Sequence, residues 1–480
     1  MAETLKEKTA KGLFWGGLSN VVQQLLNLVF GIFLARMLSQ SDYGMVGMLA
    51  IFSAIANALQ EGGFISALNR KKDASHKDYN AVFWFSTSVS LLLYVILFFS
   101  APLIARFYGV PELTSLARII FVAFFLSSVA IVPGAIIYRN LMVREAAIVT
   151  LSSQALSGIV AICLAANGFA YWGIAMQTIV YVVVVLVMRF HFSKWRPTLS
   201  VDFSPIREMF GYGSKLMITD IFVILNNNLF SVLLGRMYSP REVGNYTQAN
   251  KWNGMGIAFI GGMIWRTAQP VFAKTDDDID RQKRVFRKLL RFTTFVSFPA
   301  MFGLALVAEE FIVILLTEKW LESARMMQIL CVSGAFAPAS SLLSCLIVAR
   351  GHSTTHMWCN IVQCLAQILA VCVSAPYGIY RMIQVYVVIN VLWFFVWYYF
   401  GRREIKIGLL EVLKDISPYL LLSLFLVKAA SMLTASVSNL YLSFTIKVSF
   451  VAVGYCLTLW CLKSTILKEV ILFLTKRKIE

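Results

Sequence analysis

Leu34-Ala35-Arg36-Met37-Leu38-Ser39-Gln40-Ser41-Asp42-Tyr43-Gly44 returns 200 residues later as Leu234-Gly235-Arg236-Met237-Tyr238-Ser239-Pro240-Arg241-Glu242-Val243-Gly244, with no gap. Leu25, Asn27 and Phe30 pair in the same way with Leu225, Asn227 and Phe230. A weaker echo sets Leu116-Ala117-Arg118 against Ser323-Ala324-Arg325. The chain therefore reads as two related halves. The period far exceeds that of a solenoid repeat, so the copied unit is a whole bundle.

Working outward from the two motifs, apolar runs of the length needed to cross a bilayer recur along all 480 residues. The windows are 12–36, 43–65, 81–104, 115–138, 146–167, 170–190, 212–236, 243–266, 289–308, 327–349, 354–374, 379–400, 416–436 and 440–461. They lack the alternation of a barrel strand, and in hydrocarbon only helices and closed barrels satisfy the backbone. The expected fold is all-α and polytopic, with about fourteen transmembrane helices. Hydrophobic residues make up 59% and charged residues 14%. A soluble surface carries about 25% charged residues, so the apolar surface is expected to face lipid. The basic run before the first window precedes an apolar stretch too long for a signal-peptide core, and the window reads as a retained helix.

Net charge is +18. In a soluble chain that would suggest nucleic acid; here the distribution assigns it to topology. With the N-terminus in the cytoplasm, inside segments hold about 31 Lys and Arg and outside segments about 8. Both termini are then cytoplasmic. Each half has six windows, an even number, so the halves share one orientation, as in transporters built from parallel repeats. The expected division is 1–200, 201–403 as its repeat, and 404–480. A short interfacial helix over 401–416 leads into the last part, followed by an appended pair of spans. No connection leaves room for a folded catalytic domain.

A charge inside a span costs roughly 2.5–3.5 kcal/mol on insertion scales and needs a cavity or a partner. Asp220, Lys251, Lys428 and Lys447 pass that filter. Lys251 lies in the polar run Asn245 to Asn253, where it lines a wet cavity or snorkels. Asn20, Gln23, Gln24 and Asn27 fall on one stripe of the first helix, and Asn226, Asn227 and Asn228 lie in its copy. They either bond helix to helix or wall a central pathway. Glu61-Gly62-Gly63 ends the second window and could be a hinge. The eight cysteines form no C-x-x-C pair, the four histidines have no metal spacing, and Asp276 to Asp280 lacks the closing glutamate of a calcium loop. No nucleotide-binding loop is present. The expectation is no metal, no cofactor and no nucleic-acid partner.

Two parallel six-helix halves plus two helices resemble the MOP exporter superfamily. The stretch from Leu34 to Gly47 and the stretch Leu59-Gln60-Glu61-Gly62-Gly63-Phe64-Ile65-Ser66-Ala67-Leu68 resemble its polysaccharide-transport branch, the Wzx-type O-antigen, capsule and exopolysaccharide flippases. That resemblance implies a non-enzymatic transporter of the bacterial inner membrane. Its substrate would be an undecaprenyl-pyrophosphate-linked oligosaccharide, moved from the cytoplasmic to the periplasmic leaflet by alternating access. A proton or sodium counter-ion, membrane lipid and polysaccharide assembly proteins would be its partners. On this reading Lys251, Arg36, Arg236, Asn27, Asn227, Gln24 and Lys428 line the substrate pathway, and Asp220 and Glu61 serve coupling or gating. Lipid II flippases and cation-coupled multidrug exporters share the fold and are the alternatives. A membrane polymerase or ligase would need a large outer loop, which the windows exclude.

Overall fold

The computed structural model describes residues 5–61, 68, 74–199, 202–274, 278–464 and 466–469. Within its helices, the side chains of 5–14, 60–61, 205, 207–220, 263, 265–267, 269–270 and 273–274 are not described. The regular elements among these residues are all helices. In order, the α-helices are α1 (Leu5–Met37), α2 (Gln40–Glu61), α3 (His76–Tyr108), α4 (Leu113–Val129), α5 (Ile131–Arg139), α6 (Val143–Ala166), α7 (Tyr171–Ser193) and α8 (Ser204–Met237). They continue with α9 (Pro240–Lys274), α10 (Ile279–Leu306), α11 (Ala308–Leu316), α12 (Leu321–Ala349), α13 (Ser353–Ser374), α14 (Ile379–Ile405), α15 (Leu409–Leu433) and α16 (Leu440–Cys461).

Among the described residues, every apolar window of the sequence falls on helix. The window 115–138 is shared by α4 and α5, which bend by 43° at their junction. Eleven helices are long and apolar enough to cross a membrane among the described residues, or twelve if the bent pair counts as one span. α9 falls short because its polar run dilutes the apolar half of the helix. Several helices outrun their windows, so the connections are shorter than the sequence suggests. α9 continues to Lys274 and α10 begins at Ile279, which leaves four residues between them. The expected interfacial helix over 401–416 is not there. Residues 401–405 are the last turn of α14, and 409–416 are the first turns of the continuous α15. Three residues separate the two helices: Lys406 takes a left-handed backbone (φ 50) and the Gly408 N–H donates to Glu411 Oε2 at 2.9 Å. The amphipathic look of that stretch comes from two helix ends meeting at one polar turn.

The repeated motif is two helix boundaries. Ser39 sits just before α2, and Asp42 Oδ2 accepts the Ser39 N–H at 2.8 Å and the Ser39 hydroxyl at 2.7 Å. In the copy, Glu242 Oε2 accepts the Ser239 N–H at 3.1 Å and also its hydroxyl. In each case an acid three residues after a serine satisfies donors that a helix start would leave unpaired. Five residues into each motif's second helix lies a glycine. A Cβ on Gly44 would sit 1.7 Å from the Pro240 carbonyl oxygen, and one on Gly244 1.8 Å from that of Gln40. The two copies thus cross backbone to backbone, which only residues without a Cβ permit.

The chain packs as two compact units, Met1–Gly244 and Asn245–Glu480. In the first, α6 packs on α7 and on α1, α3 on α4, and α8 on α2 and α3. Gly158 meets the Phe30 ring so closely that a Cβ would lie 2.4 Å from it. Arg189 crosses Gly134 and donates to the Ala130 carbonyl at 3.1 Å, holding the α4–α5 bend. In the second unit α12 is central: 61% of its span is buried, the largest share of any candidate span. α10 and α14 flank it, and α13 packs on α14. The terminal pair α15 and α16 packs on α10, and α16 also meets α11.

Candidate functional site

The first two turns and a half of the second unit, within α9, carry Asn245, Gln248, Lys251, Trp252 and Asn253. At 100° per residue, Asn245, Gln248 and Trp252 share one face, with Lys251 and Asn253 on its two flanks. Asn245, Gln248, Trp252 and Asn253 are buried, and Lys251 is half-buried beside them. Oδ1 of Asn245, both amide atoms of Gln248, Nε1 of Trp252 and Oδ1 of Asn253 make no hydrogen bond to the described residues. Each such atom costs about 1–3 kcal/mol of desolvation when left unmet. A native helix does not stack several of these losses into nine residues without a use for them.

The walls around this stretch are apolar and tight. The Trp252 ring meets Phe311 of α11 edge-on at 5.1 Å. Asn253 lies against Gly334 of α12, where a Cβ would stand 2.5 Å from its Oδ1. Gly256, one turn further, admits the Met301 sulfur of α10. The Ser323 hydroxyl of α12 donates to the Asn245 carbonyl. Lys251 Nζ lies 5.9 Å from the Trp252 ring and forms no ion pair among the described residues. The arrangement offers one ammonium, several amide donors and acceptors and an indole N–H along one helix. It can meet hydroxyl groups in both senses and hold an anion.

The other sequence candidates are dispersed. Gln24 and Asn227 are exposed on α1 and α8, and Asn27 is half-buried. Of the three adjacent asparagines, Asn226 keeps a buried Oδ1 without a partner among the described residues, and Asn228 turns back to donate to the Ile224 carbonyl at 2.9 Å. Arg36 and Arg236 are exposed at the matching ends of α1 and α8, Arg236 lying over Phe107 at 5.6 Å. Lys428 is exposed on α15. Glu61 and Asp220 fall in α2 and α8, but their side chains lie outside the described residues. Lys447 is claimed by a partner the windows missed: its Nζ donates to Glu310 Oε1, which also accepts the Ser443 hydroxyl at 2.8 Å. Glu310 escaped because the apolar window ends at Leu306 to Ala308, where the chain breaks between α10 and α11. Its signal was the pair Glu309-Glu310 at the start of a second apolar run. A second missed network joins α13 to α14, where Gln363 and Gln367 both donate to Asn390 Oδ1, at 3.0 and 3.1 Å. Among the described residues no group of three or more His, Cys, Asp or Glu could hold a metal, and the eight cysteines are free.

Comparison with known proteins places this arrangement in context. Residues 33–325 match the family described as "Polysaccharide biosynthesis protein". The chain is 25% identical over 381 residues to the lipopolysaccharide biosynthesis protein WzxC of Escherichia coli K12, covering 77% of this chain and 76% of that one. Among solved structures it resembles the lipid II flippase MurJ in its inward closed conformation, with a TM-score of 0.70 and 16% identity over 93% of this chain and 99% of that one. It also resembles an inward-facing multidrug resistance MATE family transporter of the MOP superfamily, with a TM-score of 0.65 and 18% identity over 80% of this chain and 94% of that one.

Proposed function

Because this chain belongs to the polysaccharide biosynthesis protein family and has the fold of the MOP exporters, we propose that it flips undecaprenyl-pyrophosphate-linked oligosaccharide repeat units from the cytoplasmic to the periplasmic leaflet of the bacterial inner membrane. The observation that carries the reading is the buried, unmet polar run Asn245 to Asn253 with Lys251 at its edge. A sugar brings hydroxyls that donate and accept, and a pyrophosphate brings negative charge. Amides and an ammonium inside a span substitute for the water that both lose in hydrocarbon. The chemistry is transfer, not bond making.

In this proposal the segments 1–200 and 201–403 exchange access by rearranging around the bound headgroup. Arg36, Arg236, Asn27, Asn227, Gln24 and Lys428 border its path. Asp220 and Glu61 are the carboxylates offered for coupling to a proton or sodium ion. The outward movement of an anion is itself favoured by an inside-negative potential, by about 2.3 kcal/mol per charge per 100 mV. Polysaccharide assembly proteins would take the repeat unit on the far side.

Deleting the gene tests the reading. Lipid-linked repeat units are expected to collect in the cytoplasmic leaflet, out of reach of a periplasmic glycosidase or lectin, while lipid II export continues. Repeat units reaching the periplasmic leaflet at the normal rate would refute it. Arrest of lipid II instead would assign the chain to the other flippase class that shares its fold.

A further inference from the structure

One face of α10 carries Arg284, Arg287, Lys288 and Arg291, spaced to point the same way over two turns. Together with Ile466 and Glu469 they line a cavity of about 220 Å³. Asp415 of α15 holds two of the cations from behind: Arg287 Nε lies 2.7 Å from its Oδ2 and Arg291 Nε 2.8 Å from its Oδ1. Glu411 takes Lys283 at 2.7 Å and Arg287 at 3.5 Å, and Glu469 takes Lys288 at 2.8 Å. Five cations therefore face three carboxylates, and the cavity keeps an excess of positive charge. Arg284 makes no ion pair among the described residues, although Asp280 stands one turn before it.

A second observation fixes the kind of anion. The short segment that supplies Ile466 and Glu469 to the cavity turns Leu467 and Lys468 the other way. There they line a groove of about 710 Å³ with Leu459, Trp460 and Cys461, and Lys463 joins Lys468 among its lining residues. A cation-lined cavity and an apolar groove thus share one strip of chain. A free phosphate needs only the first. A molecule with a charged phosphate head and a hydrocarbon tail uses both, and a bilayer is made of such molecules.

We propose that this end of α10 is a binding site for an anionic phospholipid, its headgroup phosphate among Arg284, Arg287, Lys288 and Arg291 and a chain along the groove beside Trp460. The site is separate from the polar run of α9, so it serves a resident lipid and not the transported one. Asp415 and Glu411 fix the Arg287 guanidinium, which meets Asp415 through Nε and Nη2 and Glu411 through Nη1. Arg284, with no ion pair among the described residues, is the cation free to donate to phosphate.

The test uses the full chain purified in detergent and exposed to vesicles of phosphatidylcholine with a minority of phosphatidylglycerol, with retained lipid read by native mass spectrometry. Wild type is expected to keep phosphatidylglycerol and to discard phosphatidylcholine. The double variant Arg284→Gln/Lys288→Gln should lower retention by about 30-fold, the equivalent of about 1 kcal/mol for each cation removed. Lys194→Gln/Arg196→Gln removes the same charge from the basic connection after α7 and should leave retention unchanged. Equal loss in that control, or no loss in the α10 variant, would overturn the proposal in favour of a general charge effect. Displacement of the lipid by millimolar inorganic pyrophosphate would overturn it in favour of a soluble-anion site, and preference for a polyprenyl pyrophosphate would make it a substrate site. If the double variant does not accumulate, Arg284→Gln alone, at an exposed position, gives the same reading with a smaller loss.

Discussion

At the scale of single residues, the site and the fold pull in opposite directions. Gln248 is buried with neither amide atom bonded to the described residues. An apolar side chain of similar size would remove that cost. Gln248→Leu is therefore expected to melt at the same temperature as wild type or above it while exporting less polysaccharide. A lower melting temperature, measured by fluorescence-detected size exclusion after heating, would show that Gln248 is structural. Lys251→Ala should impair export while the protein still accumulates in the membrane, and normal surface polysaccharide at full expression would remove Lys251 from the pathway. The sequence made Lys251 visible through its charge, because an intramembrane cation is rare, and through the polar run around it. It could not separate the stranded amides from those that bond: Asn228 and Asn226 are neighbours of one type, yet only the first turns back on its own helix.

At the scale of elements, the terminal pair is joined to the rest of the second unit by a polar seam along α10 and α11. From one end, Lys283 and Arg287 meet Glu411, and Arg287 and Arg291 meet Asp415. Midway, the Tyr455 hydroxyl donates to the Phe295 carbonyl at 2.9 Å, and at the other end Lys447 and Ser443 meet Glu310. Breaking the buried Glu310–Lys447 pair from one side leaves an uncompensated charge, which costs about 3–5 kcal/mol in a protein interior. Lys447→Met alone should thus lower the melting temperature more than Glu310→Gln/Lys447→Met. A double variant no better than the single would mean that the two charges do not depend on each other. Helices were legible because apolar runs of span length dictate them. Their ends were not: Glu310 lay just beyond a window, and the turn at Lys406 looked like a helix because two helix ends share polar residues there.

At the scale of the whole molecule, the helical fold followed from hydropathy, and the return of one motif 200 residues later is legible in the sequence itself. The side of the membrane on which each end lies rests on the distribution of Lys and Arg. Alkaline phosphatase fused after residue 480 should be inactive, and the same reporter within the connection 434–439 should be active. Activity at the C-terminus would reverse the orientation and with it the direction of transport. What the residues could not give at this scale is proximity. Nothing in the spacing of Gly44 and Gly244 says that they meet, since a glycine early in a helix has several uses and the approach depends on how entire helices cross.

That meeting links two places in the gene that the sequence sets 200 residues apart. A methyl group at either glycine strikes main chain of the opposite copy, the carbonyl of Pro240 or of Gln40, and main chain cannot be trimmed by substitution. Neither glycine can compensate for the other. Second-site suppressors of Gly44→Ala should accordingly arise among residues that set how α2 meets the corner between α8 and α9, such as Met48 and Tyr108 packed on Gly235 at the end of α8, and not at position 244. The matched glycines would persist at both positions because the only repair available is to move a helix.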